Sequence, residues 1–88
     1  MRQQFFLFVE CDAGQASQVA SALHRMNLDH CNEIALVSGE WDILIRSEYD
    51  PSLDMSETLL APVQTINGVR RIWTEIGRPA FDRRDAQF

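Results

Sequence analysis

Two apolar, β-favouring runs meet across Ser38-Gly39-Glu40, and no other stretch restricts the possible folds as much. Ile34-Ala35-Leu36-Val37 comes before it and Trp41-Asp42-Ile43-Leu44-Ile45 after it. Gly39 can supply the positive φ that a tight hairpin needs, so the pattern predicts strand, two-residue turn, strand. The middle of the chain is then an antiparallel pair. Asp42 breaks the pattern, one residue inside an otherwise apolar strand. A carboxylate there must be solvated, hydrogen-bonded or bound to something.

The rest of the chain arranges itself around that hairpin. Phe5-Phe6-Leu7-Phe8-Val9 is a first strand, apolar at consecutive positions and so expected to be covered on both faces. Asp12 reads as a helix N-cap, with Gln15 completing a capping box. A helix over residues 13–26 follows, with Ala16, Val19, Ala20, Leu23 and Met26 on one apolar stripe. The hairpin strands are expected over 30–37 and 40–48. Asp50-Pro51 then looks like an N-cap followed by proline at the first helical position. A second helix over 51–66 would present Leu53, Leu60 and Val63 inward, widened by Leu59 and Ile66. Pro62 predicts a kink or break near Leu60–Ala61. Asn67-Gly68 ends that helix, and a last strand runs over 69–77. Residues 78–88, with Pro79 and the charges Asp82, Arg83, Arg84 and Asp85, read as a tail on a domain spanning 4–77.

The order is strand-helix-strand twice, with the two halves weakly alike. That is the split βαβ, ferredoxin-like α+β arrangement. Right-handed crossovers interleave the halves into a four-stranded antiparallel sheet, with both helices on one face and the first and third strands central. The helices cover one face only, yet the strands are apolar on both. The second face therefore calls for a partner. A chain of 88 residues buries only about 60–65% of its unfolded surface, so its own core is thin. The economical partner is the same face of a second copy, in a two-fold sheet-to-sheet homodimer. A different protein would also serve.

Thirteen acidic against eight basic residues give a net charge of −5, which argues against direct nucleic-acid binding. No apolar run approaches the roughly 20 residues of a membrane span. The N-terminus leads into a strand-like run without a cleavage site, which points to the cytoplasm. Cys11 and Cys31 fit no metal or redox spacing and fall at opposite edges of the sheet, so both are expected as free thiols. His24 lies off the apolar stripe, and His30 has no ligand set around it. Arg70-Arg71 and Arg83-Arg84 suit subunit salt bridges better than phosphate contacts in so acidic a chain. No nucleophile-base pair, phosphate loop or metal spacing emerges, so no catalytic residue, metal or cofactor is expected.

The hairpin residues Ser38-Gly39-Glu40-Trp41-Asp42-Ile43-Leu44 resemble a hairpin of the ligand-binding domain of Lrp/AsnC regulators: threonine, glycine, any residue, aromatic, aspartate, then aliphatics. This is also called the RAM domain. Asn67-Gly68-Val69 resembles the glycine-valine start of its last strand, and Thr74 matches a threonine of that strand. The resemblance implies a βαββαβ subunit that dimerises through its sheet, assembles further, often to octamers, and binds amino acids between dimers. Carried over by position, Gly39 would offer backbone groups, Asp42 would accept from the ligand's ammonium, and the Thr74 hydroxyl would bind its carboxylate or polar end. The implied ligand-binding set is Gly39, Glu40, Trp41, Asp42 and Thr74.

Two departures stand out. Ile72 occupies a position where members with a full site often carry a second threonine. The family's regulators also carry an N-terminal helix-turn-helix, whereas here the ligand domain begins within a few residues of Met1. The chain thus resembles the stand-alone form, reaching transcription, if at all, by joining a DNA-binding relative.

Residue by residue, ordinary uses compete with these roles. Asp42 alone reads as an acid capping the turn or pairing with Arg46 or Arg71. Glu40 is a common turn residue, and threonine is a good strand residue anywhere. Trp41 and Trp73 flank the Asp42 and Thr74 positions and could wall a pocket, although aromatic packing in a core or interface is commoner. Two other function classes share the fold: small dimeric α+β-barrel monooxygenases, which place a polar pocket between sheet and helices, and assembly modules with a degenerate ligand site.

Overall fold

A computed structural model describes residues 3–81. Four strands, β1 (Gln3–Cys11), β2 (Glu33–Leu36), β3 (Ile43–Tyr49) and β4 (Val69–Gly77), form one sheet in the order β2-β3-β1-β4. Every neighbouring pair is antiparallel, and β1 and β3 are central. The helix α1 (Ala16–Met26) joins β1 to β2. A π-helical turn (Ser56–Leu60) running into α2 (Ala61–Gln64) joins β3 to β4. This is the ferredoxin-like βαββαβ fold expected from the repeat.

The core lies between one sheet face and the helices. Burial alternates along β1 and β3, so Phe5, Leu7, Val9, Ile43 and Ile45 point inward. Val19 and Leu23 of α1, with Met55, Leu59 and Val63 from the second helical segment, close over them. The register places Phe6, Phe8, Glu10, Leu44, Arg46, Arg71, Trp73 and Glu75 on the opposite, open face. That face is not uniformly apolar. Arg46 pairs with Glu33 and Glu48, and Arg71 with Glu10 and Glu40, around a centre of half-buried Phe6, Phe8 and Leu44.

Several boundaries differ from the expectation, each for a local reason. Asp12 is not the cap of α1. Its carbonyl accepts the Gln15 N–H in a turn through Gly14, and the helix begins only at Ala16. β2 starts at Glu33 instead of residue 30, because His30 has φ +64° and Cys31 N–H closes a turn onto Leu28. The hairpin loop is longer than two residues. Val37 N–H reaches the Asp42 carbonyl, so residues 38–41 form the loop, and β3 begins at Ile43. Asp50 and Pro51 do not start a helix. Asp50 accepts the Ser52 N–H in a local turn, an interaction that holds its carboxyl below its usual range. The working cap is Asp54, whose side chain accepts the Ser56 N–H. The later start leaves Leu53 exposed.

At Leu60–Ala61 the π-helical turn gives way to α2, the irregularity Pro62 predicted. Proline offers no N–H to the preceding turn, and a wider π register there accommodates its ring. The predicted limits of the last strand match β4. Cys11 and Cys31 are free. Of the expected tail, Asp82, Arg83, Arg84 and Asp85 lie outside the described residues.

Candidate functional site

The hairpin loop and the ends of β1 and β4 meet at one end of the sheet. Gly39 has φ +119°, the positive value its turn requires. Asp42 leaves the β3 ladder here. Its backbone N–H donates to the Val9 carbonyl, and its Oδ2 accepts the Cys11 N–H at 2.8 Å. β1 and β4 slip register between Glu10 and Cys11, and such a bulge takes a residue out of regular pairing. That residue is Arg70 of β4; the Cys11 N–H faces the other way, past the last β1–β3 pair, and Asp42 satisfies it there. This is neither turn-capping nor pairing with arginine. A carboxylate carries about four acceptor positions, so one such bond leaves capacity for another donor.

The Asp42 charge also reaches the neighbouring thiol. Cys11 is buried, and that burial, with the negative charges of Asp42 and Asp12, pushes its pKa above the ordinary value of 9.0. Burial alone pushes Cys31 in the same direction. Neither thiol has the electropositive surroundings of a reactive cysteine.

Glu40 and Trp41 sit over the open face. The Trp41 ring lies 6.1 Å from Phe8, and the Arg71 guanidinium stacks 4.4 Å from its centre. Arg71 also pairs with Glu40 at 3.6 Å and Glu10 at 3.2 Å. Beyond them Trp73 donates its indole N–H to Glu75. Phe8, Glu40, Trp41, Arg71, Trp73 and Glu75 enclose a cleft of about 370 Å³. It joins aromatic walls to one cationic and two anionic groups, a set able to take a small zwitterion or amine.

Thr74 stands apart from this cleft. It pairs with Leu7 in the register and so belongs to the helix-side face, where it lines a hollow of about 280 Å³ with Leu60, Gln64, Arg70 and Ile72. β1 lies between its strand and β3, a separation of about two strand spacings, ~10 Å. Glu40 and Trp41 are thus brought together with Phe8, Arg71, Trp73 and Glu75, while Thr74 is not joined to them within the chain. Phe8 and Arg71 did not stand out in the sequence as site residues. The alternation of β1 and the pairing Glu10↔Arg71 put them there, and only the register reveals it.

No group of three or more His, Cys, Asp and Glu suited to a metal occurs among the described residues. Ser47 is a polar residue fully buried among the core positions. No helix among the described residues is long and apolar enough to cross a membrane.

The sequence matches no family model and none of the curated proteins. Its fold does match solved structures. TTHA0845 from Thermus thermophilus superposes with a TM-score of 0.76 at 16% identity, covering 92% of this chain and 99% of that one. E. coli AsnC superposes with a TM-score of 0.72 at 22% identity, covering 92% of this chain and 54% of AsnC. The transcriptional regulator NMB0573 from Neisseria meningitidis, solved as a complex with L-Met, gives 0.70 at 15% identity over 91% of this chain and 52% of that one. The structures matching this fold include Lrp/AsnC-family regulators, among them an AsnC-family transcriptional regulator from Agrobacterium tumefaciens. The chain spans about half the length of the two regulators and nearly all of TTHA0845. At these identities the likeness is one of fold, and it is the fold that the hairpin resemblance implied.

Proposed function

We infer that this chain is a non-enzymatic regulatory domain of the cytoplasm that binds an amino acid at the hairpin end of its sheet and assembles as a homo-oligomer. One observation carries the reading: over nine-tenths of its length the chain shares its fold with a regulator solved with L-Met bound. The hairpin supplies suitable groups. Asp42 keeps acceptor capacity for an ammonium group, Gly39 offers backbone, and Glu40 and Trp41 border the adjoining cleft. Thr74 would have to come from another subunit, which agrees with a ligand held between dimers. The open sheet face, with its half-buried Phe6, Phe8 and Leu44, would pack against the same face of a second copy. Bound amino acid would then favour one assembly by its differential affinity for it. Regulation of transcription would act through a DNA-binding relative.

The assembly-module reading has support of its own. Asp42 already serves the Cys11 N–H, and Ile72 stands where a second hydroxyl would be useful. Calorimetric titration with each of the twenty amino acids separates the two. One or a few should bind wild type, and Thr74→Val should weaken that binding about tenfold, the loss of one net hydrogen bond. Absence of binding by all twenty would leave the assembly module as the better account. The monooxygenase-like alternative has less behind it, since among the described residues the fully buried core between sheet and helices carries few polar groups, the Ser47 and Tyr49 hydroxyls.

A further inference from the structure

β4 is an edge strand of nine residues with no proline and only one irregularity, at its Val69 end. The opposite edge, β2, has four residues. Short edge strands are a common protection against unwanted pairing, and β2 has that protection while β4 lacks it. β4 also keeps large side chains in solvent on both faces: Trp73 is 55% exposed and Ile76 64%.

Two of the three charges of β4, Arg71 and Glu75, lie symmetrically about its midpoint, while Arg70 lies at its irregular end. In an antiparallel pair of identical strands related by a two-fold axis, opposed residues share a face, so their numbers differ by an even count. The midpoint of Val69–Gly77 is Trp73. A pair centred there overlaps all nine residues and sets Arg71 of each copy opposite Glu75 of the other. Both residues lie on the open face. Centring on Arg71 would oppose two arginines, and centring on Glu75 two glutamates. Charges that merely blunted an edge would have no reason to match in the register of fullest overlap.

Arg71 already holds Glu10 on β1 and Glu40 in the hairpin loop. Its guanidinium has five donors, so a further carboxylate can be taken. Among the described residues Glu75 has no cationic partner and holds only the Trp73 indole N–H.

We propose that β4 pairs edge to edge, antiparallel and centred on Trp73, with β4 of a second copy, joining two four-stranded sheets into one of eight. The row of side chains across the seam then reads Glu10, Arg71, the partner's Glu75. On the helix side, Ile72 faces the partner's Thr74 at the mouth of the hollow that lies between α2 and β4. This interface uses a strand edge, so it is separate from face-to-face packing of the sheets and needs no ligand.

Disulfide trapping tests it. Directly opposed antiparallel residues have Cα atoms about 4.5–5.5 Å apart, within disulfide range. Under mild oxidation Trp73→Cys should give covalent dimer, whereas wild type, with only Cys11 and Cys31, should not. Ile72→Cys and Thr74→Cys should each stay monomeric on non-reducing gels, and the two chains co-expressed should crosslink to one another. Adding Glu75→Arg to Trp73→Cys, which opposes two arginines on each side of the axis, should cut the crosslink at least tenfold. The proposal is overturned if folded Trp73→Cys protein, judged by its circular dichroism and melting, stays uncrosslinked. It is equally overturned if Trp73→Cys crosslinks but the co-expressed pair does not, as face-to-face packing alone would give, or if all three single variants crosslink alike.

Discussion

Asp42 belongs to the fold before it belongs to any ligand. Its Oδ2 holds the Cys11 N–H at the end of β1, so removal of the carboxylate leaves a part-buried donor unpaired. Asp42→Ala should therefore cost about 1–3 kcal/mol in urea unfolding. Asp42→Asn keeps an acceptor oxygen and should cost clearly less; equal stability of Asp42→Ala and wild type would contradict this role. The sequence singled out Asp42 because a carboxylate in an apolar strand needs a partner. It could not reveal which one, since the partner is a backbone N–H of β1 that lies just beyond the last β1–β3 pair. Ser47 is the converse case. A serine in a strand reads as facing water, yet here it is fully buried in the core face and its hydroxyl has no partner among the described residues. Ser47→Ala removes that unmet hydrogen bond at little change in volume and should raise stability by up to about 1 kcal/mol. A loss of similar size would show that the hydroxyl is satisfied after all.

At the scale of elements, strands were easier to read than helix ends. β4 follows directly from the β-favouring Val69, Ile72, Trp73, Thr74 and Ile76 after Asn67-Gly68, and the kink at Pro62 follows from a missing N–H. The caps were harder, because Asp12, Asp50 and Asp54 all offer a carboxylate just before a helical stretch. Only the packing of Met55 and Leu59 into the core decides that Asp54 is the one used. The connection into β4 is itself under tight constraint. Gly68 has φ +101°, and a Cβ there would come within 3.0 Å of the Val19 side chain. Its carbonyl also accepts the Asp12 N–H, which ties the two βα units together. Gly68→Ala should lower stability by about 1–3 kcal/mol, as strain at a positive φ adds to the contact with Val19. An unchanged urea midpoint would mean that the backbone shifts there freely.

For the whole molecule, the doubled strand-helix-strand pattern was enough to specify the topology, because few arrangements satisfy right-handed crossovers in so short a chain. The composition of the open face was less legible. Its consecutive apolar residues suggested a greasy surface. The register interleaves Glu10, Arg46, Arg71 and Glu75 among the aromatics, so any partner on that face must match charge as well as shape. The candidate site was legible only in part. The hairpin named Gly39, Glu40, Trp41 and Asp42, but the cleft beside it also depends on Phe8 and Arg71, which a linear motif does not connect. The central claim is that an amino acid changes how this chain assembles. The most direct measurement is the particle mass and melting temperature across the twenty amino acids, with Asp42→Asn in parallel. One or a few amino acids should shift both quantities in wild type and neither in the variant. A flat response from wild type across the whole panel, at the mass of a dimer or larger, would contradict the account.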